Sequence, residues 1–259
     1  MLARALQGRR PSLLLTDPPY CLLTRRRKGG EPRERRAGRK IDRDPVHRFA
    51  DVRAYRRFTS EWLPAAAGSV VDGGTLAIWT NFLGRQPILA VAAEAGFPAL
   101  TGEFVWAKLT TEGGGNERLA RVYEVALVLR REPLPPLSPG DAARAWAVVA
   151  GYDEEGEASS WGSHPNHKSF GVLEPLVRTW SRPGELVLDC FAGSGSIPAA
   201  ALRLGRQVAC IELEEEWAQR VRERLAAVTP VPTVGSSAES TDTAAPAGAG
   251  NAPAPAGRG

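Results

Sequence analysis

The stretch that decides the fold is LVLDCFAGSG at residues 186–195, an apolar run that leads directly into a glycine-containing turn. The continuous apolar run at Leu186–Cys190 predicts a strand buried on both faces, as in a parallel sheet. Gly193 and Gly195 allow a tight turn after this strand and let a ligand approach the backbone closely, because they have no Cβ. The helix predicted at Ile197–Leu204 would begin beneath the anionic end of that ligand.

A second strand and helix follow this turn. The strand is predicted at Gln207–Ile211 and the amphipathic helix at Glu214–Val228. The order strand, helix, strand, helix predicts a doubly wound sheet. Glu212 ends the second strand, nineteen residues after Gly193, where a carboxylate can accept two hydrogen bonds from a ribose diol. The alternative for Glu212 is a solvated residue in the first turn of the helix, because three more glutamates follow closely.

The second informative string is DPPY at residues 17–20, which ends a short apolar run. Open α/β sheets bind their ligands at the ends of such strands. The Asp17 carboxylate and the Pro18 carbonyl would accept the N–H bonds of an exocyclic amino group on a flat ring. Pro18 and Pro19 fix the backbone and remove competing donors, and Tyr20 would offer a stacking face. A Pro-Pro turn after an edge strand is the alternative interpretation.

Together the two strings predict methyl transfer from S-adenosylmethionine (AdoMet) to the amino group of a nucleobase. The predicted cofactor-binding residues around the glycine turn are Asp189, Phe191, Ala192, Gly193, Ser194, Gly195, Ser196 and Glu212. Asp189 would hold the ammonium group of the cofactor or cap the loop, and Phe191 would stack near the cofactor or belong to the core. A base in a duplex must flip out of its stack to enter such a pocket.

The charge of the chain is concentrated in one segment. Residues 25–40 contain nine Lys or Arg and two Glu, a net charge of +7, whereas the whole chain carries +4, so the remainder carries −3. A basic loop on a mildly acidic body predicts local contact with phosphates. The alternative is a solvated charge run. The candidate nucleic-acid-binding residues are Arg25, Arg26, Arg27, Lys28, Arg39 and Lys40.

The composition predicts one folded domain and a tail. Residues 1–228 would form the methyltransferase domain, and 229–259 are rich in Ala, Pro and Gly and predict disorder. No apolar run reaches the roughly twenty residues that span a bilayer, and there is no signal-peptide pattern. His164 and His167 have no nearby Cys or further His with which to bind a metal ion. We therefore expect a cytoplasmic, metal-free protein with no membrane partner.

The rest of the chain predicts further elements of an α/β fold. Residues 21–50 are polar and basic and predict a long loop, and 132–160 form a Pro-rich, acidic connection. The strands predicted at Glu103–Leu109 and Val122–Arg130 flank a Gly-rich loop and indicate a hairpin at one edge of the sheet. Helices are predicted at Asp51–Ala67, Arg85–Ala95 and Leu173–Trp180, and strands at Leu13–Thr16, Gly74–Thr80, Glu103–Leu109 and Val122–Arg130.

These motifs resemble those of the permuted "beta" group of amino-methylating DNA methyltransferases, which act on adenine N6 or cytosine N4. The resemblance covers roughly residues 11–228, and its motifs are DPPY at 17–20, FAGSG at 191–195, IE at 211–212 and WAK…YEVALVLRR at 106–131. It implies a Rossmann-like, AdoMet-dependent methyltransferase fold. This α/β fold is a single domain with a doubly wound mixed sheet, one antiparallel strand and helices on both faces.

A further motif, HPNHKSF at residues 164–170, resembles the HPxxKP box of that group. The resemblance implies that Lys168 lies near the methionine end of the cofactor, whereas the alternative is a surface lysine at the start of a helix. Ser169 replaces the usual proline. Relatives also carry a Gly-Asp strand ahead of DPPY, whereas this chain begins within what looks like the following helix. Either that strand is dispensable, or the sequence starts late and weaker cofactor binding is expected. The recognition segment at 132–160 is short, which assigns most of the nucleic-acid contact to the basic loop.

The predicted function is site-specific methylation of adenine N6 in duplex DNA after base flipping. Asp at the first position of DPPY favours adenine, since Ser is commoner in the cytosine enzymes of the group. Three alternatives remain open: an N4-cytosine DNA methyltransferase, an RNA amino-base methyltransferase, and a non-catalytic nucleic-acid-binding relative. A homodimer also remains open.

Overall fold

One mixed sheet organises the molecule. The structure is a computed structural model and describes residues 1–24, 47–108, 123–134, 147–150 and 167–230. Within these residues the sheet has seven strands: β1 Leu13–Thr16, β2 Thr75–Thr80, β3 Ala99–Lys108, β4 Tyr123–Arg130, β5 Ala147–Ala150, β6 Leu186–Asp189 and β7 Gln207–Cys210. Their order in the sheet is β5-β3-β4-β2-β1-β6-β7. β4 is antiparallel to both of its neighbours, and the other pairings are parallel. The predicted doubly wound sheet with one antiparallel strand is therefore confirmed.

Helices cover both faces of the sheet. The described helices are α1 Leu2–Leu6, α2 Val52–Ser69, α3 Arg85–Glu94, α4 Phe170–Trp180, α5 Ser196–Arg203 and α6 Glu215–Ala227. The side chains of β1 alternate between the two faces: Leu14 packs with α2 and α3 in one hydrophobic cluster, and Leu13 and Leu15 pack with α4 and α5 in the other. This alternation explains why the three leucines of β1 follow one another without a polar residue between them, as in strands buried on both faces.

Local chemistry explains where several helices begin and end. The Asp51 carboxylate accepts the N–H of Ala54 at 2.7 Å and caps the start of α2. Gly96, just beyond α3, has φ +87°, a conformation suited to the end of a helix. Pro198 is the third residue of α5, where its missing N–H leaves no helical hydrogen bond unmade. These features place the helices within a few residues of the predicted bounds.

The structure differs from the sequence prediction at the outer edge of the sheet. β3 begins at Ala99, four residues before the predicted start, and carries a bulge between Leu100 and Gly102. β5 lies inside the segment predicted as a connection and pairs in parallel with β3. The predicted hairpin of β3 and β4 is present, but β5 lies outside it at the edge of the sheet. The prediction that the hairpin forms the edge was wrong, because the four residues of β5 lie in a Pro-rich, acidic segment whose composition indicates a connection and not a strand.

Several predicted features lie outside the described residues. They include the basic candidates at 25–28, 39 and 40, the Gly-rich loop at 110–118, His164, most of the recognition segment and nearly all of the predicted tail. Their assignments stay predictions. In the described part of the chain, no helix has the length and apolar character needed to cross a membrane.

Candidate active site

The DPPY loop and the glycine turn emerge side by side because β1 and β6 are parallel neighbours. Leu13 and Leu14 are in register with Val187 and Leu188, so both strands end at the same edge of the sheet. The Thr16 hydroxyl ties the two ends together. It donates to Asp189 Oδ1 at 2.7 Å and accepts the N–H of Cys190 at 3.1 Å. Two strings about 170 residues apart in sequence thus open into one region.

A cleft of about 330 Å³, including its open mouth, lies between the two loops. Of the predicted site residues, Asp17 and Lys168 contribute to one side and most of the glycine turn to the other. Tyr20 contacts Lys168 at 3.4 Å but does not itself line the cleft. Asp189 and Glu212 accept hydrogen bonds from the backbone of the turn, and neither they nor Gly195 line the cleft. Asp17 of the DPPY loop and Gly193 of the turn thus line one common cleft. The lining residues are Asp17, Lys168, Phe191, Ala192, Gly193, Ser194, Ser196 and Ile197.

Both glycines of the turn adopt the left-handed conformation, with φ +50° at Gly193 and +76° at Gly195. A Cβ on Gly195 would lie 3.3 Å from the Val221 side chain on α6. The left-handed conformation therefore favours glycine at 195, as the prediction of a tight turn expects. A Cβ there would press on α6 and not on the cleft, so the second predicted reason, room for a ligand, does not apply to this residue.

A buried network supports the turn from behind. Arg224 of α6 is 1% exposed, and its Nη1 donates to the Ser194 carbonyl at 3.0 Å and to Ser196 Oγ at 3.3 Å. Ser196 Oγ also lies 3.0 Å from His167 Nδ1 and 2.8 Å from Ser194 Oγ. Sequence reasoning missed Arg224, because an arginine in an amphipathic helix ordinarily faces solvent.

Glu212 braces the same turn through its carboxylate. Oε2 accepts the N–H of Gly193 at 2.7 Å, and Oε1 accepts the N–H groups of Leu213 and Glu214 at 2.7 and 3.0 Å. The side chain is half-buried at the end of β7 and precedes α6. This arrangement sets Glu212 apart from the solvated glutamates that follow it. A carboxylate has about four acceptor positions, so these three N–H groups leave capacity for about one further donor.

Asp189 is almost completely buried behind the turn. Its Oδ1 accepts hydrogen bonds from the Thr16 hydroxyl and, at 3.1 Å, from the N–H of Phe191. Oδ2 is buried and has no hydrogen-bond partner among the described residues. Burial, the largest influence, raises the pKa of Asp189 from 3.8 to about 7. Asp189 therefore caps the loop and keeps one buried acceptor available.

Phe191 combines the two roles that the sequence left open. Its ring packs edge-on against Trp62 with the centroids 5.1 Å apart, and it also lies 6.1 Å from Phe58, both on α2. The same residue lines the cleft. It is thus anchored to the core and still reaches the site.

On the target side, Lys168 and Asp17 form a buried ion pair. Lys168 Nζ contacts Asp17 Oδ2, and the two side chains are 3% and 10% exposed. Asp17 Oδ1 is buried and lacks a hydrogen-bond partner within the described ranges. The alternative of a surface lysine at 168 is wrong, because the lysine turns inward to the carboxylate.

Glu124 of β4 completes this cluster and was not predicted. Its Oε2 accepts the Tyr20 hydroxyl at 2.6 Å and lies 3.3 Å from Lys168 Nζ. Burial, followed by the carboxylates of Asp17 and Glu124, raises the pKa of Tyr20 well above its ordinary value. The available signal was a single acid in an otherwise apolar strand, YEVALVLR.

Comparison with known proteins settles the family. A model of a family described as DNA methylase, covering N6 and N4 methyltransferases, matches residues 12–223. The chain belongs to this family. It is 30% identical over 226 residues to YubD of Escherichia coli, which is named as a methylase, and the match covers 85% of this chain and 84% of YubD.

Two solved structures have the same fold. The M1.HpyAVI–SAM complex is 21% identical with a TM-score of 0.59, covering 85% of this chain and 91% of its own. The cytosine-N4-specific PvuII DNA methyltransferase is 14% identical with a TM-score of 0.62, covering 85% and 82%. The amino-methyltransferase resemblance of the sequence is therefore confirmed at the level of family and fold.

Proposed function

We propose that this protein transfers a methyl group from AdoMet to N6 of adenine at specific sites in duplex DNA, with the target base flipped into the cleft. Membership of the DNA methylase family supports amino methylation of DNA. The observation that carries the proposal is the shared cleft: Asp17, with a buried acceptor oxygen, lines the same space as the glycine turn. Asp at the head of DPPY favours adenine over cytosine.

The residues around the turn fit AdoMet. The buried Oδ2 of Asp189 offers an acceptor for an ammonium group, and Lys168 would lie near the same methionine end. Glu212 lies just beyond β7, where its remaining acceptor position would accept a ribose hydroxyl. Phe191, together with the backbone and small side chains from Ala192 to Ser196, would enclose the rest. Bound AdoMet supplies an activated methyl group, and the relative M1.HpyAVI was solved as a complex with SAM.

The chemistry assigned to the DPPY loop is acceptance of N–H bonds. An aromatic amino group is a poor nucleophile because its lone pair is delocalised into the ring. Asp17 and the carbonyl of Pro18 would accept its two N–H bonds and free the lone pair for the new bond to the methyl carbon, whose bond to the sulfonium sulfur would break with the electron pair left on sulfur. The nitrogen then loses one proton, and burial, the largest influence, raises the pKa of Asp17 above its ordinary value, which suits that carboxylate to take it. Most of the catalysis is positioning and preorganised acceptors.

Tyr20 would form the stacking wall for the flipped base. Its hydroxyl is fixed by Glu124 at 2.6 Å, so the ring is held in one orientation before the target arrives. Pro19 joins Pro18 in holding the loop rigid.

The test is mass spectrometry of nucleosides after incubation with labelled AdoMet and either duplex DNA or structured RNA. We expect label in N6-methyladenine from DNA. Asp17→Ala should lower the rate by at least about a hundredfold, while calorimetry finds AdoMet still bound. Asp51→Ala, which removes a distant carboxylate at the start of α2, is the matched control. Label in N4-methylcytosine, label in RNA alone, or an unchanged rate in Asp17→Ala would each overturn part of the proposal.

A further inference from the structure

Four polar side chains from three parts of the chain meet beside the cleft. Lys168 Nζ contacts Asp17 Oδ2, lies 3.3 Å from Glu124 Oε2 and 3.4 Å from the Tyr20 hydroxyl. The same ammonium lies 4.9 Å from the centre of the Trp79 ring. Asp17, Glu124 and Lys168 are 10%, 17% and 3% exposed. The ammonium is therefore shared between two carboxylates in a site that holds little water.

This arrangement bears directly on how Asp17 could accept a target amino group. An ammonium bound to one carboxylate alone withdraws electron density from it and weakens it as an acceptor. A second carboxylate on the same ammonium reduces that effect and gives the cluster of Asp17, Glu124 and Lys168 a formal charge of −1. A negative cluster also favours the positive charge that develops on a nitrogen as it is methylated.

We propose that Glu124 is a positioning residue that shares the Lys168 ammonium with Asp17, so that Asp17 keeps Oδ1 as a strong acceptor for the target amino group. Glu124 does this from β4, where its Oε2 is anchored by the Tyr20 hydroxyl at 2.6 Å. The same anchor links the stacking wall to the acceptor. The inference rests on the proposed function, because it assigns Asp17 to the target base.

The influences on Asp17 have opposite signs, which makes the inference testable. Burial raises the pKa of Asp17, the Lys168 ammonium lowers it, and the Glu124 carboxylate raises it. Burial alone would lower the pKa of Lys168, but the two carboxylates hold it above its ordinary value. Among the described residues, the titratable groups around Asp17 are Lys168 ahead of α4, Glu124 on β4, Tyr20 in its own loop, Asp189 on β6 and Tyr55 on α2.

The experiment follows the carboxyl carbon of Asp17 by NMR in protein labelled at aspartate, without cofactor or DNA. The signal is identified by its absence from Asp17→Asn. Glu124→Gln should lower the midpoint of the Asp17 titration by about one pH unit, and Lys168→Met should raise it. Glu103→Gln is the control. It removes a carboxylate on β3, the strand next to β4, that pairs with Arg85 at 2.5 Å, and it should leave the midpoint of the Asp17 titration unchanged.

The kinetic counterpart is a loss in turnover with little loss of binding. Glu124→Gln should lower kcat on DNA by about threefold to tenfold, with KM for DNA and the Kd of AdoMet within about twofold of wild type. Glu124→Asp keeps the charge and withdraws it from Lys168 by one methylene. It should give a smaller change in the same direction, which also serves as the test if Glu124→Gln fails to fold.

The outcomes separate the inference from the function beneath it. A wild-type protein that labels no DNA overturns the proposed function and, with it, the role of Asp17. A protein that methylates DNA, but whose Asp17 midpoint and kcat are unchanged in Glu124→Gln, overturns only the inference. Equal losses in the Glu103→Gln control would also overturn it, because they would show a general effect of charge or fold.

Discussion

The buried Asp189 makes the stability of the protein depend on pH in a way that one substitution should remove. Its carboxyl is 1% exposed, and burial, the largest influence, raises its pKa from 3.8 to about 7. The folded protein therefore holds this proton more tightly than the unfolded chain does. The resulting stabilisation is complete below pH 3.8 and is lost as the pH rises through 7.

The size of the effect follows from the shift. The difference between 7 and 3.8 is about three pH units, and each unit corresponds to about 1.4 kcal/mol, so the full change is about 4 kcal/mol. Asp189→Asn keeps the shape and cannot ionise. The free energy of unfolding of the variant minus that of wild type should therefore rise by about this amount between about pH 4 and pH 8.

The assay is urea unfolding without cofactor at half-unit steps of pH. The amide places an unpaired NH₂ group where Oδ2 was, which adds a constant offset, so the slope with pH is the quantity to compare. Thr16→Val removes a hydrogen bond that lowers the pKa of Asp189 and should extend the pH-dependent loss to higher pH. A difference between Asp189→Asn and wild type that does not vary with pH would refute the reasoning.

Three further predictions concern the turn, a helix start and the basic loop. Gly195→Ala should lower the free energy of unfolding by about 1–2 kcal/mol, because alanine is strained at φ +76° and its Cβ would meet Val221 at 3.3 Å; urea unfolding that matches wild type would contradict this. Asp51→Ala should cost about 1 kcal/mol through loss of the cap on α2, with methylation unaffected; a fall in kcat would count against a purely structural role. Replacing the three arginines at 25–27 by alanine should flatten the dependence of DNA affinity on salt, as measured by fluorescence anisotropy; an unaltered slope would favour a solvated charge run.

The central strands were predictable because burial on both faces leaves a clear signature. Leu13–Thr16 was predicted with the bounds that the structure has, and Leu186–Cys190 is longer than β6 by one residue. In such strands consecutive positions are apolar up to the polar residue at the end, so the run itself marks the element. The two loops that follow them were then expected at one edge of the sheet, where Asp17 and Gly193 do line a common cleft.

The parts that the sequence did not indicate depend on partners far along the chain. Glu124 is one acid in a strand, and its contacts with Tyr20 and Lys168 arise only when β4 and the loops are assembled. Arg224 resembles the exposed charges of α6 until the turn at Ser194 packs against it. β5 has four residues, too few for a periodic pattern to stand out from its surroundings.

The pairing of β1 with β6 also has a consequence for when the cleft comes into being. Contacts such as that of Thr16 with Asp189 close a loop of 173 residues, and contacts between distant residues are slow to form. Synthesis runs from the N-terminus, so a ribosome must release nearly all of the domain before both walls can meet. A nascent chain in which DPPY has already been synthesised therefore still lacks the glycine turn that forms the other wall of the cleft. The complete active site is consequently one of the last parts of the domain to form.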